Sequence, residues 1–407
     1  MPVSERDRAA EWLRRFADNE GSESPRYRNW ALGLADDDEL LAKIVKLPVA
    51  KRQPALLLAC ARVAGVPLRP FTESREDFVA LWTKIARLAR SRSVQTNDPR
   101  RCSPLVIALQ KIRGPISLIE IGASAGLTLI PDVYSYRMTA RGRTISLDPP
   151  NGESTVVLQS NIEGWGAAEL RMPNIVHREG IDVSPLDLSN AGDRAWLEAL
   201  VWPEQADRLE LVRAAVLLAR EASVSVTAGD AVAEVRAAVA RARKAAPRST
   251  IVVWSPAVLV YLDPAQRAAF RKYCTSAKIR WISLDGRRVL PSLDDASTRA
   301  GISDPFVLTR DGKPIAGVDP LGRSIVLAPE GGLTAEEIDL IEFERIHWGA
   351  TRGKESLVRK HWRMSLVRYY QRVYGIMEGA AARRYDPVLT SSFAQVRQQR
   401  VARRSGE

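Results

Sequence analysis

Apolar positions follow two rhythms along this chain. Over roughly the first 110 residues they fall at helical spacing, in AAEWLRRFA, ELLAKIVKL, PALLLACARVAG and DFVALWTKIARLARS, so this region is expected to be mostly helical and to cap a sheet. Short apolar runs then take over. Ile116 to Leu127 (ISLIEIGASAGL), Ile175 to Leu188 (IVHREGIDVSPLDL), Ser223 to Asp230 (SVSVTAGD), Thr250 to Leu262 (TIVVWSPAVLVYL) and the later IRWISL each contain a strand signal, with helical stretches between them. Strands alternating with helices predict an α/β fold with a Rossmann-like sheet. From Leu333 the spacing is helical again. Thr334 and Glu337 form a capping box, and EEIDLIEFERIHW, GKESLVRKHW and MSLVRYYQRVYGIMEG predict three helices, the last opening at a Ser365 cap.

The expected division is a helical cap over 1–110, a Rossmann-like domain over 111–330, an all-α helix-turn-helix domain over 333–390 and a basic, disordered tail over 391–407. Glu120 and Asp182 end the first two strands about twice as far apart as a compact strand-helix-strand unit of ~30 residues requires. An inserted lobe at about 134–173 is therefore expected, with a turn at Asp148-Pro149-Pro150-Asn151-Gly152, as a hairpin or lobe covering the site. Turn signals at Asp311-Gly312 and Asp319-Pro320 predict a terminal hairpin, and Gly331-Gly332 a hinge.

Composition narrows the function classes. No apolar run reaches the ~18 residues of a membrane span, and the N-terminus lacks a secretory apolar core, so a cytoplasmic protein with no membrane role is expected. Cys60, Cys102 and Cys274 are scattered and histidines number 3, which predicts buried thiols and no metal site. The formal charge of +12 is concentrated late. Between Arg345 and Arg372 one acid, Glu355, faces eight bases, and DNA is the partner expected through residues 333–407. Ser365, Arg368, Tyr369, Gln371 and Arg372 on the expected recognition helix are the candidate contacts. A homo-oligomer stays open.

The loop after the first strand carries the candidate chemistry. Gly122 and Gly126 permit backbone conformations and close ligand approach that a side chain would obstruct. A dinucleotide fingerprint is not completed, because Ser124 replaces the middle glycine and the third is missing. A serine nucleophile elbow is matched by Gly122, Ser124 and Gly126, but His177, His347 and His361 offer no well-placed base, so a serine hydrolase is the weaker reading. Gln95, Asn97, Arg100, Tyr134 and Tyr136 are candidates for lining a substrate pocket for an unknown small molecule.

The ordered set of Glu120 with its glycine loop, Asp182 after the second strand, Gly229-Asp230 after the third and Ser255-Pro256 in the fourth resembles class I S-adenosylmethionine-dependent methyltransferases. The resemblance implies S-adenosylmethionine as cofactor, admitted by Gly122, Ser124 and Gly126, with Glu120 near its methionine part, Asp182 on the ribose and Asp230 on adenine. No catalytic residue is fixed, and Tyr261, Ser255 and His177 are the polar candidates. Ser255-Pro256 is followed by Ala257 and Val258, which departs from the motif of amino-group DNA methyltransferases and disfavours DNA as methyl acceptor. KRQP, QTNDPRRC, IGASAGL with Tyr134 and Tyr136, GIDVSPLDL, WLEALVWPEQ and WSPAVLVYL together resemble a bacterial family, domain of unknown function 2332, over about residues 30–325. Thr128 stands where an Asn is expected there. The C-terminal IEFERIHW, MSLVRYYQ and YDPVL are similar to domain of unknown function 3263, which implies a sigma-like helix-turn-helix, with Arg363 in place of an expected glycine. The alternative to a methyltransferase is a non-catalytic DNA-binding transcription regulator whose sheet domain senses a ligand or mediates assembly.

Overall fold

A computed structural model of the chain describes residues 4–140, 142–164, 170–290, 302–328, 335–349 and 353–405. Its centre is one 11-stranded sheet. In chain order the strands are β1 (Pro115–Ile121), β2 (Ser135–Ala140), β3 (Arg143–Leu147), β4 (Val157–Glu163), β5 (Asn174–Asp182), β6 (Val226–Ala228), β7 (Thr250–Pro256), β8 (Arg280–Gly286), β9 (Phe306–Arg310), β10 (Lys313–Val318) and β11 (Ser324–Leu327). They lie side by side as β3-β2-β4-β11-β10-β9-β8-β7-β1-β5-β6. β1 pairs in parallel with β5 and β7, β5 with β6, and β7 with β8. The order therefore reverses between β1 and β7, which opens a crevice beyond the carboxyl ends of the strands.

β1 shows why the sheet is covered on both faces. Ile116 and Leu118 join one core cluster while Ile119 and Ile121 join another, as the two-residue period of a strand dictates. The first cluster continues into the N-terminal helices through Leu13, Trp30 and Leu57. The second is closed by Val235, Val239 and Phe270 of the helices Ala231–Ala245 and Pro264–Ser276. Residues 5–109 supply the helices Glu5–Asn19, Pro25–Ala35, Asp38–Ile44, Pro54–Ala64, Phe71–Ala80, Trp82–Ser91 and Cys102–Leu109. Ser4, Ser24 and Asp37 cap the first three, each accepting a backbone N–H. Cys60, Cys102 and Cys274 are buried free thiols.

The described part of the insertion after β1 extends the sheet and lines none of the pocket beside Gly122. β2 and β3 form an antiparallel hairpin, but β2 then pairs with β4, and β4 pairs in parallel with β11. These strands extend the sheet at the end remote from β5 and β6, because β11 offers an edge that only the distant C-terminal part of the domain can supply. Between β9 and β10, Asp311 (φ 53°) and Gly312 (φ 75°) make the two-residue left-handed turn of a tight hairpin. Gly331-Gly332 and Thr334 lie outside the described residues.

The C-terminal helices Ala335–Ile346, Lys354–Trp362, Leu366–Met377, Ala380–Tyr385 and Pro387–Ser405 gather around Leu340, Ile341, Val358, Tyr369, Val373 and Phe393. The segment from 391, read from composition as a disordered tail, is helical to Ser405. The helix is anchored by Leu389 ahead of that segment and by Phe393 within it, the latter 4.8 Å from the Trp348 ring and 5.3 Å from that of Tyr374. Among the described residues no helix is long and apolar enough to cross a membrane.

Candidate functional site

In the loop leaving β1 every second residue from 122 to 126 is left-handed. Gly122 has φ 74°, Ser124 φ 50° and Gly126 φ 73°. A Cβ on Gly122 would sit 2.9 Å from Val258, and one on Gly126 would sit 2.4 Å from Val224. Gly126 is thus required by packing, not by a ligand. Ser124 has a Cβ and bears the left-handed strain of ~1–2 kcal/mol. Two side chains hold it there. Asp182, at the end of β5, accepts from the Ser124 N–H at 2.8 Å and from the Ser184 N–H at 2.7 Å. Asn97 donates to Ser124 Oγ at 2.6 Å and accepts from the Ala125 N–H at 3.0 Å.

Above this loop lies a pocket of about 520 Å³, within the size range of small-molecule sites. Gly122, Ser124, Asp182, Asp230, Gln95 and Tyr261 all line it. Asp230 caps the helix Ala231–Ala245 through Oδ1 alone, which accepts from Val232 and Ala233. Gln95 donates to the Ser184 carbonyl at 2.9 Å. Tyr261 stands at the mouth with 77% of its surface exposed.

Other expected site residues lie elsewhere. Asn97 is behind the loop as a clamp. Arg100 is turned away and holds Asp98 with two bonds of 2.9 and 2.7 Å. Tyr134 and Tyr136 are fully buried, and their hydroxyls donate to the Leu127 and Pro131 carbonyls. Ser255 is buried and accepts from Trp281 Nε1 at 3.0 Å. His177 sits mid-strand on β5, 3.7 Å from Glu179. His347 bonds the Phe343 carbonyl and His361 packs at 6.1 Å from the Phe343 ring. No histidine lines the pocket among the described residues, so the elbow-like Ser124 has no general base and the hydrolase reading loses its chemistry. Sequence reasoning missed Lys51, Arg101, Val258 and Gln266, which line the pocket too. For Arg101 the signal was present in the doubled Arg100-Arg101, but the wrong arginine was assigned to the site.

Glu120 is buried under the strand end. Thr128 donates to its Oε1, Trp254 Nε1 donates to the Thr128 hydroxyl at 3.3 Å, and Oε2 has no partner. Burial, reinforced by the Asp182 charge, pushes the Glu120 carboxyl up to about 8. It therefore carries a proton near neutrality.

On the C-terminal helices Arg368 and Gln371 are exposed, Arg372 is half-buried, and Ser365 caps its helix by accepting from the Arg368 N–H at 3.3 Å. Tyr369 is not a surface residue. It is fully buried, and its hydroxyl donates to Glu344 at 2.7 Å beside the buried Lys354–Glu344 ion pair of 2.7 Å. Arg363, in the glycine position noted above, has φ 50° and so adopts the left-handed turn between the second and third helices.

A family model described as an uncharacterized protein conserved in bacteria (DUF2332) matches residues 10–323, and one described as a protein of unknown function (DUF3263) matches residues 332–405. No curated protein and no solved structure matches the chain.

Proposed function

Because the chain belongs to the DUF2332 family, whose description assigns no reaction, we propose its function from the pocket: a Rossmann-like domain that binds S-adenosylmethionine and methylates a small molecule, joined to a DNA-binding helix-turn-helix. The observation that carries this reading is the convergence of Gly122, Ser124, Asp182 and Asp230, from three separate strand ends, on one pocket at the reversal of strand order. Asp230 receives the adenine amino group on Oδ2, the oxygen its helix cap leaves unused. Asp182 takes the ribose hydroxyls on lone pairs not used by the loop, whereas Glu120, expected near the methionine part, is buried outside the pocket lining and does not reach it. The cofactor would supply a methyl group on a sulfonium. The protein's part is alignment of acceptor and methyl, which needs no nucleophile of its own.

The test is the thermal unfolding midpoint of the full chain with S-adenosylmethionine, S-adenosylhomocysteine or adenosine. Stabilisation by the first two that exceeds adenosine supports the reading, and equal midpoints throughout overturn it.

A second reading, a ligand-sensing regulator without catalysis, is favoured by one specific observation. Both Asp182 oxygens already hold backbone N–H groups, so the loop is satisfied without a ligand. For the C-terminal module, support comes from the exposed Arg359, Lys360, Arg368 and Gln371 on neighbouring helices.

A further inference from the structure

Arg101 sits in the pocket wall with 5% of its surface exposed, yet among the described residues no carboxylate pairs with it. Its contacts are two carbonyls, Pro320 at 3.3 Å from Nε and Thr96 at 3.5 Å from Nη1. A guanidinium has five donors and stays charged in proteins, and a buried one without a counter-charge is costly. The acids around it attract this charge without pairing with it. Asp98 is committed to Arg100 and to Arg208, the latter at 2.8 Å. Glu120 leaves Oε2 unbonded, and Asp285, at the end of β8 and 5% exposed, is held only weakly, by Ser283 and the Leu259 N–H, and forms no ion pair among the described residues. Its neighbours Pro320, Tyr261 and Asp285 place Arg101 beside the end of β8 and the β10–β11 turn, in the same pocket that Asp182 and Asp230 line.

We propose that Arg101 is an anion-binding residue and that the second ligand of this pocket, the molecule methylated or sensed, carries a carboxylate or phosphate group. The inference requires a ligand pocket but not that its cofactor be S-adenosylmethionine. Asp98, Arg208, Glu120, Tyr261 and Asp285 act on Arg101, Asp182 acts on Glu120, Arg267 acts on Asp285, and Lys51 lines the same pocket. Burial pushes Asp285 up to about 7 and Glu120 to about 8. Both are protonated in mild acid, which leaves Arg101 to the ligand. As pH rises through these values they ionise, compete for Arg101 and repel an incoming anion, so binding weakens.

The test is a thermal-shift titration of the full chain with sulfate and acetate against chloride at equal ionic strength. The charges of these probes do not change between about pH 6 and about pH 9, a range that brackets both carboxyls. Stabilisation beyond chloride at the lower pH is expected in the wild type and lost in Arg101→Met. A larger response to sulfate assigns a phosphate-like group and a larger response to acetate a carboxylate. At the higher pH the wild-type response fades, whereas Glu120→Gln combined with Asp285→Asn retains it. Without added anion, Arg101→Met should melt no lower than wild type, since it removes an unpaired buried charge. Responses no greater than chloride, or an Arg101→Met protein that responds like wild type, would overturn the proposal. If Arg101→Met fails to fold, the pH response of the double variant decides.

Discussion

At the scale of single residues, the chemistry depends on which direction a side chain takes, and neighbours in sequence take opposite ones. Arg100 neutralises Asp98 while Arg101 enters the pocket wall. Glu120 is the clearest case for a pH measurement. Its folded value of about 8 stands above the ordinary 4.5. The advantage of the protonated form is therefore complete below about pH 4.5 and is lost as pH rises toward 8. Glu120→Gln should flatten that decline in unfolding free energy and be the more stable protein near neutrality. A decline of unchanged slope would show that another group is responsible. Arg363, at φ 50°, gives an independent prediction. Arg363→Gly should stabilise the C-terminal helices by about 1 kcal/mol, read from denaturant unfolding, because glycine bears no left-handed penalty. Residue types and strand ends were legible in the sequence here: Gly122, Ser124, Asp182 and Asp230 do meet at one pocket. Orientation was not: Tyr134, Tyr136 and Tyr369 are all buried, and the Glu344 that holds the Tyr369 hydroxyl lies 25 residues away.

At the scale of elements, local signals proved readable wherever the chain contacts itself nearby. The Asp311-Gly312 turn and the Ser365 cap both form, because each depends on a few adjacent residues. The pairing of β4 with β11 joins Asn161 to Ser324, and no local pattern encodes that. The same limit explains the last helix, whose basic sequence reads as a tail while Leu389 and Phe393 tie it to the helical cluster. Phe393→Ala should thus destabilise the C-terminal helices by ~3 kcal/mol, in the range for a buried aromatic truncation. Unfolding followed by circular dichroism would show it, and an unaltered transition would mean that the segment contributes nothing to the cluster.

At the scale of the whole molecule, the sequence joins a region with a pocket to a region rich in basic side chains. A formal charge of +12 favours a polyanion, and each phosphate contact adds about one unit to the salt dependence. Arg368→Ala should lower the slope of log affinity against log salt by about 1 on duplex DNA, while an unchanged slope would take that helix out of contact. The pocket carries the central claim. Calorimetric titration of S-adenosylmethionine into the full chain, beside Asp182→Ala and Asp230→Ala, tests it most directly. Wild type should bind in the micromolar range, and each folded variant should lose about tenfold, ~1.4 kcal/mol. Folded wild-type protein that releases no heat with S-adenosylmethionine or S-adenosylhomocysteine, at temperatures chosen to expose a binding enthalpy, would contradict it and leave the ligand-sensing regulator as the reading.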